Sequence, residues 1–435
     1  MTRDDRTPGQ RDVPRMSVVR AWFAIALWKR VVLGMACGLL LALLWPAAAP
    51  KVAILGELFV RLIRMLVVPI VFISIASGIT ALGDTRRLGS VGLRTVGLFA
   101  LTTFAAVAIG MTIGILLEPG AGANVGGAAP RDLGAAKTVY EQLVGIVPLN
   151  ILQAMVDGDM LAILFAATLL GAGVIAAGDA GKPVAGFLQS LSAVLFQVIR
   201  IVMEVTPFGV FALIAGAVAA NGLAVFTHIG LLAAAVAIAS LLQMLLVHAP
   251  LIRWGAGMPV PRFFRSIADA LAVAFSTASS SATLPVALRV ACDRLRIDRA
   301  IASTTLPLGA SIGKDGTAMY VGLLSVFALQ AFGVQIDAGV FLTLLFVGAL
   351  TAFGTAPIPS ASLFMLTAVL PTVGVTPEQT ALLVGFILPF DRLLDMTRTV
   401  PSACANLTVC TIVARMEGAV GREPTPVAEP AEAAA

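Results

Sequence analysis

The chain has few charged residues for its length. Of 435 residues, 12% are charged and 59% are hydrophobic, whereas a soluble domain has about 25% charged residues. This composition excludes an ordinary soluble protein. Repeated apolar stretches, each long enough to cross a bilayer, predict an all-α polytopic membrane protein.

Cysteine and histidine are too sparse to build a metal centre. The four cysteines have neither metal-ligand spacing nor the pattern of a disulfide framework. His228 and His248 are the only histidines, so no histidine cluster for zinc or a proton relay is expected, and we place both near span ends. The net charge of +5 lies mainly in loops and the amino terminus. This distribution suits the positive-inside rule better than nucleic-acid binding.

Apolar stretches divide the first part of the chain into spans. Residues 1–21 contain several arginines and no apolar core, so they predict a cytoplasmic arm rather than a cleaved signal. The basic cluster Arg86, Arg87 and Arg94 agrees with a cytoplasmic amino terminus. The first six predicted spans are 22–48, 52–82, 92–118, 142–177, 183–219 and 224–252.

After residue 255 the apolar segments are short and are interrupted by Ser, Gly and Pro. The interruptions are AFSTASSSATLPVAL (274–288), GASIGKDGTAMY (309–320) and FGTAPIPSASLFML (353–366). Flanking pieces of about 14 residues measure about 21 Å, too short to cross a bilayer alone. Irregular backbone at membrane depth is tolerated only where protein buries it or it lines a cavity, and paired broken segments are typical of transporter sites.

The stretch 391–406, DRLLDMTRTVPSACAN, places charges inside an apolar segment. On a helix with about 100° per residue, its polar side chains fall within an arc of roughly 80°. These side chains are Asp391, Asp395, Arg398, Ser402 and Asn406. A charge at the bilayer centre costs at least about 2.5–3.5 kcal/mol, so this face predicts a functional site. The alternative is an ion pair that merely joins helices, but the polar stripe continues beyond such a pair.

These motifs resemble the dicarboxylate/amino acid:cation symporter family, the glutamate and aspartate transporters and their relatives. The resemblance covers residues 30–416 and includes LFVRLIRMLVVPIVFISI, MEVTPFGVFALI, the SSSATLP tip, DGT and the DxxxDxxR pattern. It implies eight transmembrane helices and two re-entrant hairpins near 262–296 and 338–372. It also implies an elevator-type homotrimer in the cytoplasmic (inner) membrane, with both termini cytoplasmic.

The resemblance also implies a division of the chain into regions. These are a cytoplasmic arm (1–21), scaffold spans 1 and 2 (22–91), span 3 of a transport domain (92–118), scaffold spans 4 and 5 (119–219), the transport-domain core (220–416) and a disordered tail (417–435). The tail is rich in Pro, Ala and Glu, which independently predicts disorder from Gly418.

Residue roles follow from the same resemblance. Arg398 matches the arginine that binds the substrate's side-chain carboxylate, a task that suits its planar fork. Asp395 matches the aspartate that accepts the α-ammonium. The other positions that match substrate contacts are Thr317, Ser280, Ile358 and Ser402. The positions that match cation binding or coupling are Asp315, Asp391, Asn406, Gly309, Gly313, Lys314, Ser311, Thr355, Thr102 and Thr103. A coupling cation, Na⁺ or H⁺, is implied, and no cofactor.

The chain departs from the family at several of these positions. Gly313 and Lys314 replace Asn and Met of the family's Asn-Met-Asp-Gly-Thr motif. Ser402 replaces an asparagine that contacts substrate, and Asn406 replaces an aspartate that binds sodium. Pro401 enters the same helix, where we expect it to loosen the turn.

The change to Lys314 suggests altered ion coupling. We hypothesise that its ammonium stands in for a sodium ion and balances Asp315, because a hard cation needs oxygen ligands and negative surroundings. The alternative is that Lys314 extends to water. If Lys314 does replace a sodium ion, proton coupling through a carboxylate such as Asp315 or Asp391 would replace part of the sodium coupling.

Together the residues predict a secondary symporter of acidic amino acids and not an enzyme. A C4-dicarboxylate carrier and a neutral amino acid carrier stay open as alternatives, although the family's dicarboxylate carriers lack an aspartate at 395 and its neutral carriers lack the arginine. An intramembrane serine hydrolase using 279–281 would lack a histidine base and a Gly-x-Ser-x-Gly elbow. A channel would not need a specific Arg398/Asp395 pair.

Overall fold

The described part of the protein is almost entirely helical. A computed structural model describes residues 25, 27–85, 90–123, 147–157, 160–222, 224–353, 355 and 361–420. Within these ranges the only β contact is an isolated bridge between Ile297 and Val420. The prediction of an all-α protein is confirmed at this level. The predicted arm and Ile358 lie outside the described residues.

Eight helices precede residue 243 in the described ranges. They are α1 (Leu27–Leu44), α2 (Ala49–Thr85), α3 (Ser90–Leu117), α4 (Ile151–Asp157), α5 (Met160–Ala176), α6 (Lys182–Met203), α7 (Thr206–Asn221) and α8 (Ala224–Leu242). The predicted fifth span is therefore two helices, with a break at 204–205. Arg30 Nη1 lies 2.6 Å from Glu204 Oε2, so a largely buried guanidinium ties α1 to this break.

Seven α-helices follow in the described ranges, and three of the gaps between them fall within the predicted interruptions. They are α9 (Val260–Thr277), α10 (Ser280–Arg289), α11 (Arg299–Ile312), α12 (Asp315–Ala331), α13 (Ala338–Phe353), α14 (Ala361–Val369) and α15 (Pro377–Met416). Ala278, at φ +50°, turns α9 into α10, and Ser279 caps α10 by accepting the Ala282 N–H. Only Gly313 and Lys314 separate α11 from α12.

Few of these helices can cross a membrane alone. Among the described residues, Val91–Leu117 and Phe226–Gly255 are long and apolar enough. A bent pair, Lys29–Leu44 with Pro46–Phe59, adds a third if it counts as one span. Length and composition therefore do not establish the eight predicted transmembrane helices.

The helices pack in two sets. In one, α1 lies against α7, while α2 lies against α5, α6 and α7. In the other, α3 packs along α12, and α15 is flanked by α8, α9, α11 and α12. Residues 315–329 of α12 are buried without exception, so this helix forms the centre of the second set.

One local expectation near the carboxyl terminus is wrong. Helix α15 runs for 40 residues and continues through Pro401, and the loosened turn expected there stays a prediction. The predicted disordered tail begins too early, because Glu417 accepts a hydrogen bond from Arg94 and Ala419 is buried. Residues 421–435 lie outside the described part.

Candidate functional site

The polar face predicted on α15 is buried. Asp391, Asp395, Arg398, Ser402 and Asn406 are exposed by only 0%, 2%, 3%, 3% and 6%. Buried charges need partners because transfer from water is expensive. The hydrogen-bond partners that other described helices supply to this face lie on α12.

The Nε/Nη2 edge of Arg398 makes no hydrogen bond in the described ranges, although Nη2 forms an ion pair with Asp395. Arg398 Nη1 donates to Thr317 Oγ1 at 3.2 Å, and its Cζ lies 4.9 Å from the Tyr320 ring centroid. Its Nη2 lies 2.9 Å from Asp395 Oδ1, an ion-pair distance. Neither Nε nor Nη2 donates a hydrogen bond to a described residue. This edge is the one that binds a carboxylate through two parallel hydrogen bonds.

Helix α12 approaches α15 so closely that glycine is required at one position. The Gly316 N–H donates to Ser402 Oγ at 2.9 Å. A Cβ on Gly316 would lie 1.6 Å from the Arg398 carbonyl oxygen. Ser402, predicted as a substrate contact, therefore also joins the two helices.

Tyr320 is a site residue that the sequence analysis missed. Its hydroxyl donates to Asp391 Oδ1 at 2.8 Å, while its ring faces Arg398. A fully buried tyrosine needs a hydrogen-bond partner, so its position one turn after the DGT motif was an available signal. Tyr320 positions Arg398 and links it to Asp391.

Asp315 is surrounded by protein donors. Thr102 and Thr103 donate to its Oδ1 at 3.0 and 3.3 Å. Gln243 Nε2 donates to Oδ2 at 3.0 Å, and His248 Nε2 lies 3.3 Å from the same oxygen. The placement of His248 near a span end, away from the site, is wrong: it is fully buried beside Asp315.

A π-helical turn explains why Gln243 and His248 were missed. The segment Gln243–His248 is π-helical, so residues five apart lie close together instead of on different faces. An α-helical period would place them on different faces. A buried glutamine and histidine in one apolar span were the only signal.

Asn406 occupies a tight corner beside two glycines. Its Oδ1 is buried and accepts no hydrogen bond in the described ranges. A Cβ on Gly313 would lie 2.4 Å from both this oxygen and the Phe99 ring, and one on Gly309 would lie 2.7 Å from the oxygen. The space that a side chain at 313 would need is therefore filled by Phe99 and Asn406.

Of the remaining predicted site residues, some are buried near the α15 face and one is exposed. Ser280 is buried and lines a cavity of about 10 Å³, the size of one water, together with Asn406. Thr355 is buried, but its hydroxyl donates to the Thr351 carbonyl. Ser311 is exposed and donates to the Pro307 carbonyl, so it does not join the buried cluster. Lys314 is 3% exposed, so the alternative that it extends to water is wrong.

The two positions predicted to bind cations keep part of the chemistry that sodium prefers. Around Asp315, one carboxylate oxygen and two hydroxyls are hard oxygen ligands, but nitrogen donors face the other oxygen. At Asn406, an unpartnered amide oxygen remains without a charge. The described ranges contain no group of three or more His, Cys, Asp or Glu side chains able to hold a metal ion.

Comparison with known proteins decides the family. The model of the sodium:dicarboxylate symporter family matches residues 27–416, which is most of the chain. The chain belongs to this family. It is therefore a membrane protein of a transporter family, which argues against the serine hydrolase.

Relatives within the symporter family carry two kinds of name. The proton/sodium-glutamate symport protein of Bacillus subtilis (strain 168) is 32% identical over 401 residues, 89% of this chain and 92% of the relative. The protein of the same name from Bacillus caldotenax is 31% identical over 411 residues, which cover 92% of this chain and 96% of the relative. The C4-dicarboxylate transport protein of Anaeromyxobacter sp. (strain K) is 33% identical over 404 residues, which cover 91% of this chain and 90% of the relative. The chain is thus similar to both groups at nearly equal identity.

Proposed function

We propose that this chain is a cation-coupled symporter of acidic amino acids, aspartate or glutamate. The observation that carries the proposal is the buried Arg398/Asp395 ion pair, in which the guanidinium Nε and Nη2 make no hydrogen bond within the described ranges. The Nε/Nη2 edge takes the substrate's side-chain carboxylate, and Asp395 takes its α-ammonium. A site with such buried polar groups rejects an analogue that leaves one of them unpaired.

Other proposed substrate contacts surround this pair. Thr317 holds Arg398 through its hydroxyl, Ser402 lies one turn further along α15, and Ser280 begins the second helix of the first hairpin. Ile358 completes the proposed set.

A C4-dicarboxylate carrier is the second candidate, because relatives of this name match as well as the glutamate symporters do. The position of Asp395 disfavours it. A dianion has no ammonium to place against a carboxylate that is 2% exposed, and like charges in a dry site repel.

The coupling cation is proposed to bind at the altered positions. Asn406 with the backbone of Gly309 and Gly313 forms one candidate set, and Asp315 with Thr102 and Thr103 forms the other. A bound cation would supply positive charge that favours an anionic substrate. Fewer oxygen ligands at both sets favour a smaller sodium requirement than in relatives with the full ligand set, with protons as the other coupling ion.

The architecture proposed for this carrier has eight transmembrane helices, two re-entrant hairpins and an elevator movement within a homotrimer. In this arrangement the set around α12 and α15 moves against the set around α2. The described hairpins α9/α10 and α13/α14 support the proposal, as does the packing in two sets. Inner-membrane location with cytoplasmic termini rests on the arginine-rich arm.

Uptake into liposomes tests the function. The purified protein is reconstituted and given labelled aspartate, glutamate, succinate or serine, with sodium, proton and potassium gradients imposed separately. We expect uptake and counterflow of aspartate or glutamate, driven by a sodium or proton gradient. Succinate uptake without aspartate uptake would favour the second candidate, and loss of the gradient without counterflow would indicate a channel. Liposomes with the Arg398→Ala variant are the control.

A further inference from the structure

Arg392 is a partly buried guanidinium that the site described so far does not use. It follows Asp391 on α15 and lies about 60° from Asp395 around the helix, at the edge of the polar face. Its Nη2 donates to the Thr277 carbonyl at 3.2 Å. Its Nε and Nη1 are buried and make no hydrogen bond in the described ranges. The Thr277 carbonyl is therefore the only hydrogen-bond acceptor that the described part of the chain gives Arg392.

Thr277 is the last residue of α9, where a helix leaves carbonyl groups without a partner of its own. Two earlier carbonyls of this end are already bonded, because the Ala278 N–H donates to Ala274 and the Thr277 hydroxyl donates to Val273. A guanidinium at this position also faces the negative end of the helix dipole. Arg392 thus caps α9 from a different helix.

The residue after Thr277 has an unfavourable backbone conformation. Ala278 has a φ of +50°, in the left-handed region that residues other than glycine rarely adopt. Such a turn persists only where its surroundings hold it. Directly beyond it, Ser279 caps α10 and Ser280 is buried. Residues 277–280 form the hairpin tip, which Arg392 holds by one hydrogen bond.

This contact joins two parts of the proposed substrate site. Ser280 on the hairpin tip is a proposed substrate contact, and Asp395 and Arg398 lie about one and two turns beyond Arg392 on α15. If the tip moved away from α15, Arg392 would lose its only acceptor in the described ranges, and an unpartnered buried guanidinium costs free energy. The guanidinium therefore favours a tip held against α15, and a ligand that needs both parts gains from the same contact.

We propose that Arg392 is a positioning residue that caps α9, holds the hairpin tip against α15 and so places Ser280 beside the Asp395/Arg398 pair. One hydrogen bond and one positive charge are sufficient for this task. The task proposed for Arg398 is different, because it needs a fork of two donors. The link to a substrate rests on the proposed function, whereas the contact between the tip and α15 does not.

Hydrogen exchange of the purified protein in detergent, followed by mass spectrometry, tests the contact without a substrate. The backbone N–H groups of Ala278 and Thr283 report on the hairpin tip, because they bond to the carbonyls of Ala274 and Ser279. Calorimetric titration with aspartate then tests the positioning role, and the unfolding midpoint of each variant is measured alongside.

The variants separate the charge from the shape of the side chain. Arg392→Met removes the donor and the charge, while Arg392→Lys keeps both. Arg294→Gln is the matched control. Arg294 Nη1 also donates to a carbonyl of α9, that of Ser266 at 3.3 Å, but away from the hairpin tip.

We expect Arg392→Met to speed exchange at the hairpin tip at least about tenfold, as for the loss of one hydrogen bond from a charged donor. Aspartate binding should weaken about 3- to 10-fold. The unfolding midpoint should not fall, because an apolar side chain replaces a buried guanidinium with two unpartnered nitrogens. Arg392→Lys should recover most of both losses, and Arg294→Gln should leave exchange at the tip unchanged.

Three results would overturn the proposal. One is exchange at the hairpin tip of Arg392→Met that equals that of the unchanged protein. Another is faster exchange along all of α9 and α15 with a lower unfolding midpoint, which indicates a general structural role. The third is faster exchange at the tip with unchanged aspartate affinity, because the contact then positions no substrate residue. Failure of the proposed function is distinguishable, since the unchanged protein would then bind no acidic amino acid, while the exchange experiment still decides whether Arg392 holds the tip.

Discussion

Arg398 and Asp315 are both buried charged side chains at the junction of α12 with its neighbours, yet their surroundings differ. Two nitrogens of Arg398 make no hydrogen bond in the described ranges, and one of them, Nη2, is ion-paired with Asp395 at 2.9 Å. Asp315 receives hydrogen bonds on both of its oxygens, and His248 lies close as well. The guanidinium keeps donors available to a ligand, as the proposed function requires, whereas the carboxylate is held by donors of the protein.

This difference separates binding from stability. A buried donor without a partner costs free energy that a ligand recovers on binding, so it favours a substrate with the matching group. A buried carboxylate that accepts three hydrogen bonds already has its lost hydration compensated by the protein. Changes at Arg398 should therefore alter substrate affinity most, and changes at Asp315 should alter folding stability most.

The largest expected effect is that of Arg398→Ala on substrate affinity. Removing one side of a desolvated charge pair costs about 2–5 kcal/mol, or roughly 30- to 5,000-fold in the dissociation constant for aspartate. Calorimetry on the purified protein measures it. Arg398→Lys keeps the charge but not the fork, and should recover only a small part. Unchanged aspartate affinity in Arg398→Ala would contradict the assignment of the substrate pair.

Asp315→Asn should lower stability by about 1–3 kcal/mol, because the new amide N–H₂ faces groups that donate hydrogen bonds. The unfolding midpoint in detergent, followed by intrinsic fluorescence, measures the change. Asp391→Asn is the control, since an amide oxygen there still accepts from Tyr320. The comparison between Arg398 and Asp315 breaks down if Asp315→Asn lowers the midpoint no more than Asp391→Asn does. A sodium-induced rise that Asp315→Asn removes would support the proposed cation set at Asp315.

The charged face of the site could be predicted from the sequence, but the residues that surround Asp315 could not. Asp391, Asp395 and Arg398 follow a plain α-helical period, so their burial on one helix was predictable. The helix break at Gly313 was predictable too, because glycine and polar residues interrupt the apolar sequence at that point. Gln243 and His248 were not, since a π-helical turn alters the period by which residues meet.

The expected start of the disordered tail failed because tertiary contacts overrode a local signal. The tail was assigned to disorder from its composition, but Ala419 is buried and Val420 pairs with Ile297. Composition describes a segment on average and does not report contacts made by its first residues.

Asn406→Asp should convert a neutral corner into one that needs a cation. A carboxylate there has no donor in the described ranges to compensate it, because the present amide oxygen has none. We expect aspartate affinity to fall about tenfold in choline buffer, about 1.4 kcal/mol, and to recover as sodium is added. Asn406→Ala, which introduces no charge, is the control and should show no sodium recovery. Equal sodium responses in the two variants would contradict this interpretation.

Tyr320→Phe should have the smallest effect, because it removes a hydroxyl and keeps the ring beneath Arg398. Losing one hydrogen bond to Asp391 should weaken aspartate binding about 2- to 5-fold, the lower end of the contribution of a single hydrogen bond. Tyr320→Leu removes the ring as well and should weaken binding further, since the cation–π contact then disappears. Calorimetric titration of both variants compares the two contributions. If the phenylalanine variant binds as weakly as the leucine variant, Tyr320 acts through Asp391 alone, and the ring does not position the guanidinium.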